Sequence, residues 1–362
     1  MSHAPRSLSR VRTRLRGRTG RVTAVAVGLT TATALALTGC SSASDAATDG
    51  RVTVVASTNV WGSVAAAVAG EYADVTSIIN EPSADPHSYE ASPRDAAAVT
   101  DADLVVYNGG GYDEFVEDIL AAEGDKPTVN AYELLGTESD LHAGHDHEPT
   151  ATGTDAIAED AAAHDTAESH DSHAGHSHSH GGVNEHVWYD ISTVDTVAHA
   201  IATELGELDP ANAAAYTANA ESFHGKLHTV ADITADVAAR HAHTPVAQTE
   251  PTAHYLLAAA DLDDRTPEDF TRAIEEGNDP PPAAIAATRD LLSGKQVAVL
   301  VYNNQTEDKV TRDMRSVAEA AGVPVVEVTE TLPEGVDYVQ WQLSIAEQLA
   351  AALEGAAAGT SE

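Results

Sequence analysis

One stretch restricts the fold more than any other. Between Pro210 and Pro245 the chain has no proline, and its only glycine is Gly225. Phe223, Leu227, Val230, Ile233 and Val237 recur there at steps of three and four, the spacing of one helix face. A single helix from about Pro210 to about Arg240 would be roughly 45 Å long. That exceeds the width of one small domain, so the helix needs partners along both halves of the molecule. Gly225 inside it either costs stability or marks a close contact.

Both flanks of this helix alternate between short β-branched runs and helical segments. On the N-terminal side, 51–57 reads as a strand, 59–70 as a helix and 74–79 as a strand. Ser92-Pro93 opens the next helix, with Ser as cap and Pro at the first position. A strand at 103–107 is broken by Asn108-Gly109-Gly110-Gly111. A helix over 112–122, a strand over 127–132 and a helix over 192–205 complete this half. On the C-terminal side, strands are predicted at 245–249, 296–302 and 323–328, with helices at 252–260, 282–292, 307–321 and 338–353. The pattern predicts an α/β fold of two lobes, each a mostly parallel sheet flanked by helices, joined by the long helix.

Composition narrows the partners. The 362 residues carry a formal net charge of −38. All seven charged residues before Cys40 are arginines, and without them 12 basic residues face 57 acidic ones, a net of −45. Such a surface repels nucleic acid and attracts cations. The arginines of 6–21, the short apolar run 22–38 and Leu37-Thr38-Gly39-Cys40 have the layout of a targeting segment. They resemble a bacterial lipoprotein signal, in which Cys40 becomes the lipid-modified first residue. Cys40 is the only cysteine, so no intrachain disulfide can form. Residues 41–50 read as a small, polar tether.

Nine of the 18 histidines lie between His142 and His180. His142, His145 and His147 form one cluster; His170, His173, His176, His178 and His180 form another, with His164 between them. Asp146, Glu148 and Asp171 are interspersed. Neutral imidazoles on a segment too polar to fold alone chelate late first-row metals loosely. Residues 141–182 are therefore predicted to be a disordered, auxiliary metal-collecting loop. His186, six residues later in NEHVWYD, sits in a bulky aromatic setting of a different kind.

Ligands in an open α/β sheet sit beyond the carboxyl ends of its strands. Four candidates follow strands or precede helices there. His87 lies in DPHSYE, where Pro86 restricts the backbone and Tyr89 or Glu90 could orient the imidazole. His186 has Asp190 nearby, either to orient it or to cap the following helix. Glu250 stands at a strand-to-helix corner, with His254 four residues on as a substitute or additional ligand. Glu330 follows the strand at 323–328. Taken singly, the loop histidines read as solvated, Glu250 as a first-turn helix acid and Glu330 as a loop acid. Together they make a mixed nitrogen and oxygen shell suited to Zn²⁺ or Mn²⁺.

These motifs resemble the metal-binding lipoproteins of zinc- and manganese-type ABC importers, the cluster A-I solute-binding proteins. The carriers are LTGC, DPHSYE, the His-rich insertion, NEHVWYD and the long central helix. The resemblance runs from Arg51 to the last helix. It implies two α/β lobes joined by one rigid helix, a metal held in the cleft and only a small closure on binding. It places the first two metal ligands on His87 and His186. The family commonly has proline where this chain has Glu185. Zinc-type members usually carry a histidine five residues before a tyrosine; here that position, five before Tyr255, is Glu250, as in manganese-type members. The fourth ligand, usually an aspartate, falls on Glu330 by the alignment of Leu332.

The expected division is a signal peptide over 1–40, a tether over 41–50, an N-terminal lobe over 51–207, a linking helix over 208–243 and a C-terminal lobe over 244–362. The expected function is capture of Zn²⁺, with Mn²⁺ as the alternative, and its delivery to an ABC permease in the cytoplasmic membrane. The expected form is a monomer, lipid-anchored on the outer face of that membrane. His-rich loops accompany zinc in this family, and imidazoles are poor bait for Mn²⁺. Competing readings are a surface adhesin or zinc buffer working through the loop, and a zinc hydrolase. No HExxH or comparable motif supports the hydrolase, and the chain is not expected to be an enzyme.

Overall fold

The computed structural model of the chain describes residues 50–136 and 184–359, apart from 83, 85 and 125. Cys40 and the histidines from His142 to His180 lie outside the described residues.

The N-terminal sheet is built from β1 (Val52–Thr58), β2 (Ala73–Ile79), β3 (Leu104–Tyr107) and β4 (Thr128–Asn130) in the order β2-β1-β3-β4, every pair parallel. The C-terminal sheet uses β5 (Pro245–Gln248), β6 (Asp263–Asp264), β7 (Leu300–Asn303) and β8 (Val325–Val328) in the order β6-β5-β7-β8. The two sheets therefore share one topology. In each, the chain reverses direction of growth beside the first strand, the place where an open sheet leaves a crevice at its carboxyl edge. Parallel strands need covered faces, and their sequences are accordingly near-continuous apolar runs: Leu104 to Tyr107 is buried throughout.

The helices are α1 (Asn59–Ala69), α2 (Pro93–Asp101), α3 (Glu114–Glu123), α4 (Ile191–Leu208), α5 (Ala213–His241), α6 (His254–Ala259), α7 (Glu268–Glu275), α8 (Pro282–Ser293), α9 (Lys309–Ala321) and α10 (Tyr338–Gly359). Ser92 and Asp95 form a reciprocal capping box on α2. Asp190 caps α4 by accepting from the Ser192 and Thr193 amides, which is the second of the two roles considered for it.

Helix α5 runs 29 residues and packs on α1, α4 and α10. Tyr216, Ala220, Phe223, Leu227, Val230, Thr234 and Val237 form its buried stripe. Thr234 takes the inward place expected of Ile233, and returns its hydroxyl to the Val230 carbonyl at 3.0 Å, so no polar atom is orphaned. Nothing lies within 4 Å of a Cβ built on Gly225, so that glycine marks no close contact. One continuous apolar cluster extends from Val54 and Trp61 through Phe223 and Leu227 to Val246, Tyr338 and Trp341. Smaller clusters lie around Val105 and Val116 in one sheet's surroundings and around Phe270 and Met314 in the other's.

Three elements differ from expectation. The predicted strand 296–302 is reduced to Leu300–Asn303, although Ala298 already donates to Pro245 O at 2.8 Å. Strand β6 and helix α7 occupy a stretch with no strong sequence signal. Asp263-Asp264 is too short and too acidic to read as a strand, and α7 is only eight residues long, yet Phe270, Thr271 and Ile274 bury its inner face.

Candidate metal site

The carboxyl ends of both sheets deliver their loops to one place between the lobes. His87 sits in a single helical turn, Pro86–Ser88, in the loop that follows β2. Its imidazole is partly exposed, with 23% of the side chain accessible. Tyr89 and Glu90 do not orient it: the Tyr89 hydroxyl donates to Asp95 Oδ2 at 3.0 Å, and Glu90 is exposed. Tyr112 packs edge-on against the His87 ring, with centroids 4.8 Å apart.

Tyr112 owes its place to the Asn-Gly-Gly-Gly break. Gly109, Gly110 and Gly111 all have positive φ, between 67° and 90°. A Cβ on Gly109 would meet the Asn130 side chain at 2.2 Å, and one on Gly110 the Tyr132 ring at 2.6 Å. Buried Asp113 closes the turn by accepting from the Asn108 and Gly109 amides at 2.7 and 2.8 Å. Burial pushes its carboxyl above the usual range despite these bonds. The same turn aims Asn108, whose amide donates to Glu185 O at 2.9 Å and so anchors the segment carrying His186.

His186 is 1% exposed, enclosed by Tyr112 and Trp188. Asn184 orients it: Nδ1 lies 3.0 Å from Asn184 Oδ1. With Nδ1–H donating to that carbonyl, Nε2 keeps the lone pair a metal needs. Asn184 is itself tied to the other lobe, donating to Pro251 O at 2.9 Å and accepting from the Tyr255 hydroxyl at 2.5 Å. Burial, then the neighbouring His87 and His254, hold the His186 pKa well below the ordinary imidazole value, so the ring is neutral and available as a ligand.

The C-terminal lobe supplies carboxylates. Glu330 is 3% exposed, and its Oε2 lies 3.8 Å from His87 Nε2 and accepts from Tyr112 OH at 3.2 Å. Glu250, also buried, shares a donor with it. The Asn303 amide donates to Glu250 Oε2 at 2.6 Å and to Glu330 Oε1 at 2.8 Å. Glu250 Oε1 is buried and receives no well-aligned hydrogen bond among the described residues, although the Thr306 hydroxyl interacts with this carboxyl and, with Asn303, favours its ionised form. Burial, then the charge of Glu330, push the Glu250 pKa up to about 7.

His87, His186 and Glu330 place one ligand atom each within 4.8 Å of one another, and so do Glu185, His186 and Glu275. Glu250, predicted as a ligand, is in neither group; it meets Glu330 through the shared Asn303 amide. His254 is exposed and belongs to neither group. Glu185 Oε1 lies 3.9 Å from His87 Nδ1, and Glu275 Oε1 lies 3.8 Å from His186 Nδ1. Glu275 is raised to about 9 by burial, then by Glu185, Glu250 and Glu330. No motif in the sequence marks Asn303, Asn184, Tyr112 or Glu275 for these roles. Glu275 sits on α7, whose short amphipathic pattern was the only available signal.

The arrangement gathers two imidazoles and several buried carboxylates with little compensating charge. A dication is what such a set lacks. A family model described as zinc-uptake complex component A, periplasmic (ZnuA), matches residues 54–352. The chain belongs to this family. It is a metal-binding solute-binding protein of the ABC-importer type.

The ZnuA-family chain is 29% identical over 176 residues to the manganese-binding lipoprotein MntA of Halalkalibacterium halodurans, a match covering 47% of this chain and 44% of that protein. It is 24% identical over 293 residues to the metal ABC transporter substrate-binding lipoprotein SloC of Streptococcus mutans, covering 80% and 84%. In structure it is similar to the periplasmic zinc-binding protein TroA of Treponema pallidum, with a TM-score of 0.63 at 14% identity, covering 84% of this chain and 99% of that one. That likeness shows a shared fold.

Proposed function

We propose that this protein captures Zn²⁺ in the cleft between its lobes and delivers it to an ABC permease. It acts outside the cytoplasmic membrane as a monomer, tethered through lipid on Cys40. Ligands are His87 and His186 through imidazole nitrogen, and Glu330 and Glu250 through carboxylate oxygen. The observation that carries this reading is that His87, His186 and Glu330 bring one ligand atom each within 4.8 Å of one another, with buried Glu250 tied to Glu330 through the Asn303 amide. Asn303, Asn184 and Tyr112 hold the ligands in register before the ion arrives. The ion is cargo, and no bond in it or around it is made or broken beyond coordination.

Zinc is favoured over manganese on two grounds. A mixed nitrogen and oxygen site binds Zn²⁺ more tightly than Mn²⁺ in the usual order of divalent affinities. The histidines from His142 to His180 are also suited to zinc rather than to manganese. Manganese is the second reading, favoured by the number of carboxylates around the two imidazoles: Glu185, Glu250, Glu275 and Glu330.

Chelator-competition titration of the metal-stripped mature protein with Zn²⁺ and with Mn²⁺ tests both readings. Tighter Zn²⁺ binding at a site lost in Glu330→Ala is the expected result. Tighter Mn²⁺ binding at that site reverses the choice of metal. Full retention of the tightest site in His186→Ala and Glu330→Ala rejects the cleft. A chain lacking 141–182 should keep that site; losing it would assign the tight binding to the loop.

A further inference from the structure

A second group of histidines lies on the long helix and its partner α4, built from residues that take no part in the cleft. His224 and His228 stand one helical turn apart on α5, and so share a face. Their rings are 4.6 Å apart, and their Nε2 atoms are 3.1 Å apart. His224 Nδ1 lies 3.1 Å from Oδ1 of Asp195, a residue of α4 that is only 2% exposed. His199, also on α4, is held at Nδ1 by the Asp195 carbonyl at 2.9 Å, and its Nε2 lies 3.8 Å from Glu221 Oε1.

For neutral rings these contacts select the tautomer. Asp195 accepts from His224 Nδ1–H, and its backbone carbonyl accepts from His199 Nδ1–H. The Nε2 atoms of His224 and His199 then carry lone pairs. A buried carboxylate behind an imidazole that presents its other nitrogen outward is the arrangement that orients and strengthens a metal-binding histidine. Two imidazole nitrogens on one tetrahedral zinc, each at about 2.0–2.1 Å, stand about 3.3 Å apart. The observed 3.1 Å between the Nε2 atoms is close to that spacing. Without a metal, one proton shared between them holds the pair. With a metal, His228 carries its proton on Nδ1 instead, and no proton need leave the protein.

We propose that His224 and His228 form a second, surface metal site that takes an imidazole-preferring late first-row dication, with His199 and Glu221 as further donors. His228 and Glu221 are exposed and His199 is 40% accessible, so these side chains have room to turn toward the ion. His199 brings a ligand from α4, so the ion ties α4 to α5, the most extensively packed pair of helices in the fold. Imidazole richness selects for the Zn²⁺, Ni²⁺ and Cu²⁺ class over Mn²⁺.

The test uses the full mature protein with Zn²⁺ as probe. Crystals grown with Zn²⁺ should give an anomalous scattering peak at the zinc edge within bonding distance of both Nε2 atoms. The His224→Gln/His228→Gln protein should bind one equivalent fewer in chelator competition, with its tightest site unchanged. The residues 141–182 are present in both proteins and cancel in the difference. Asp195→Asn should weaken the same equivalent about 10- to 100-fold. If the double variant does not fold by circular dichroism, His228→Gln alone carries the comparison, since that side chain is exposed. No peak at the pair, or an unchanged count in a folded variant, overturns the proposal. Failure of the cleft assignment would show elsewhere, in the equivalent tested by His186→Ala.

Discussion

The two lobes have the same sheet order and contribute opposite chemistry to the cleft. The N-terminal half brings both imidazoles, His87 and His186, with Glu185 beside them. The C-terminal half brings Glu250, Glu275 and Glu330. The difference lies in the loops, not the sheets: matching topology sets where the loops arrive, and loop sequence decides what they carry. The halves are also held differently. The imidazoles are fixed by aromatic packing and by Asn184, whereas two of the carboxylates are fixed by one shared amide, Asn303. A half that supplies imidazoles facing a half that supplies carboxylates is a cleft completed by a cation.

Interlobe bonds make this pairing stiff. Asn59 and Leu332 exchange two hydrogen bonds at 2.9 and 3.1 Å, Gln305 donates to Pro82 O at 2.7 Å, and the Tyr338 hydroxyl donates to Trp188 O at 2.7 Å. Phe223 on α5 packs on Tyr338 of α10, with ring centroids 6.1 Å apart. Breaking the joint itself should give the largest effect. Phe223→Ala is expected to lower stability by about 3–5 kcal/mol in denaturant titration. A loss below 1 kcal/mol would mean that the lobes do not depend on that packing.

The next largest effect falls on the imidazole side. His186→Ala should weaken the tightest Zn²⁺ site by more than about 100-fold, beyond the cost of a supporting residue. On the carboxylate side, Asn303→Leu removes the shared donor and leaves two glutamates facing each other. It should cost about 10- to 100-fold in affinity with the fold retained. Equal, small effects from both substitutions would erase the contrast between the halves.

Acidity separates the halves without mutation. Glu250 and Glu275 have folded-state pKa values near 7 and 9, above their unfolded values near 4.5. Between those limits the folded, metal-free protein holds more protons than the unfolded chain, so their contribution to stability falls as pH rises from about 5 to 9. Metal binding needs the ionised forms. The rise in melting temperature on adding Zn²⁺ should therefore grow over the same range, and growth should be smaller in Glu250→Gln. A pH-independent rise would remove these carboxylates from the site.

The smallest effect concerns the connector. Gly225 has open space around it in the middle of α5, so Gly225→Ala should stabilise the protein by about 0.5–1 kcal/mol and leave metal affinity unchanged. Destabilisation would show that the glycine is needed for a bend.

Periodicity carried the architecture. The stripe from Phe223 to Val237, the apolar run Leu104 to Tyr107, and the Ser92-Pro93 start are local signals, because helix and strand burial repeat at fixed short spacings. The family motifs marked His87 and His186 for the same local reason. Asp263-Asp264 had no such signal and α7 only two turns of amphipathic spacing, too short to decide, since their burial depends on what the rest of the lobe packs against them.

The support of the site is not written in any one segment. Asn303 ends β7, far in sequence from both carboxylates it bridges, and Asn184 orients His186 while bonding across to Pro251. Glu275 arrives from a helix with no motif at all, and His224 meets Asp195 from 29 residues away. Short-range spacing encodes which faces of the chain turn inward, so the two lobes and the long helix α5 were readable from residues alone. A metal shell depends on distances of a few ångströms between segments remote in the chain. Packing decides those distances, and only the folded molecule brings them to a value.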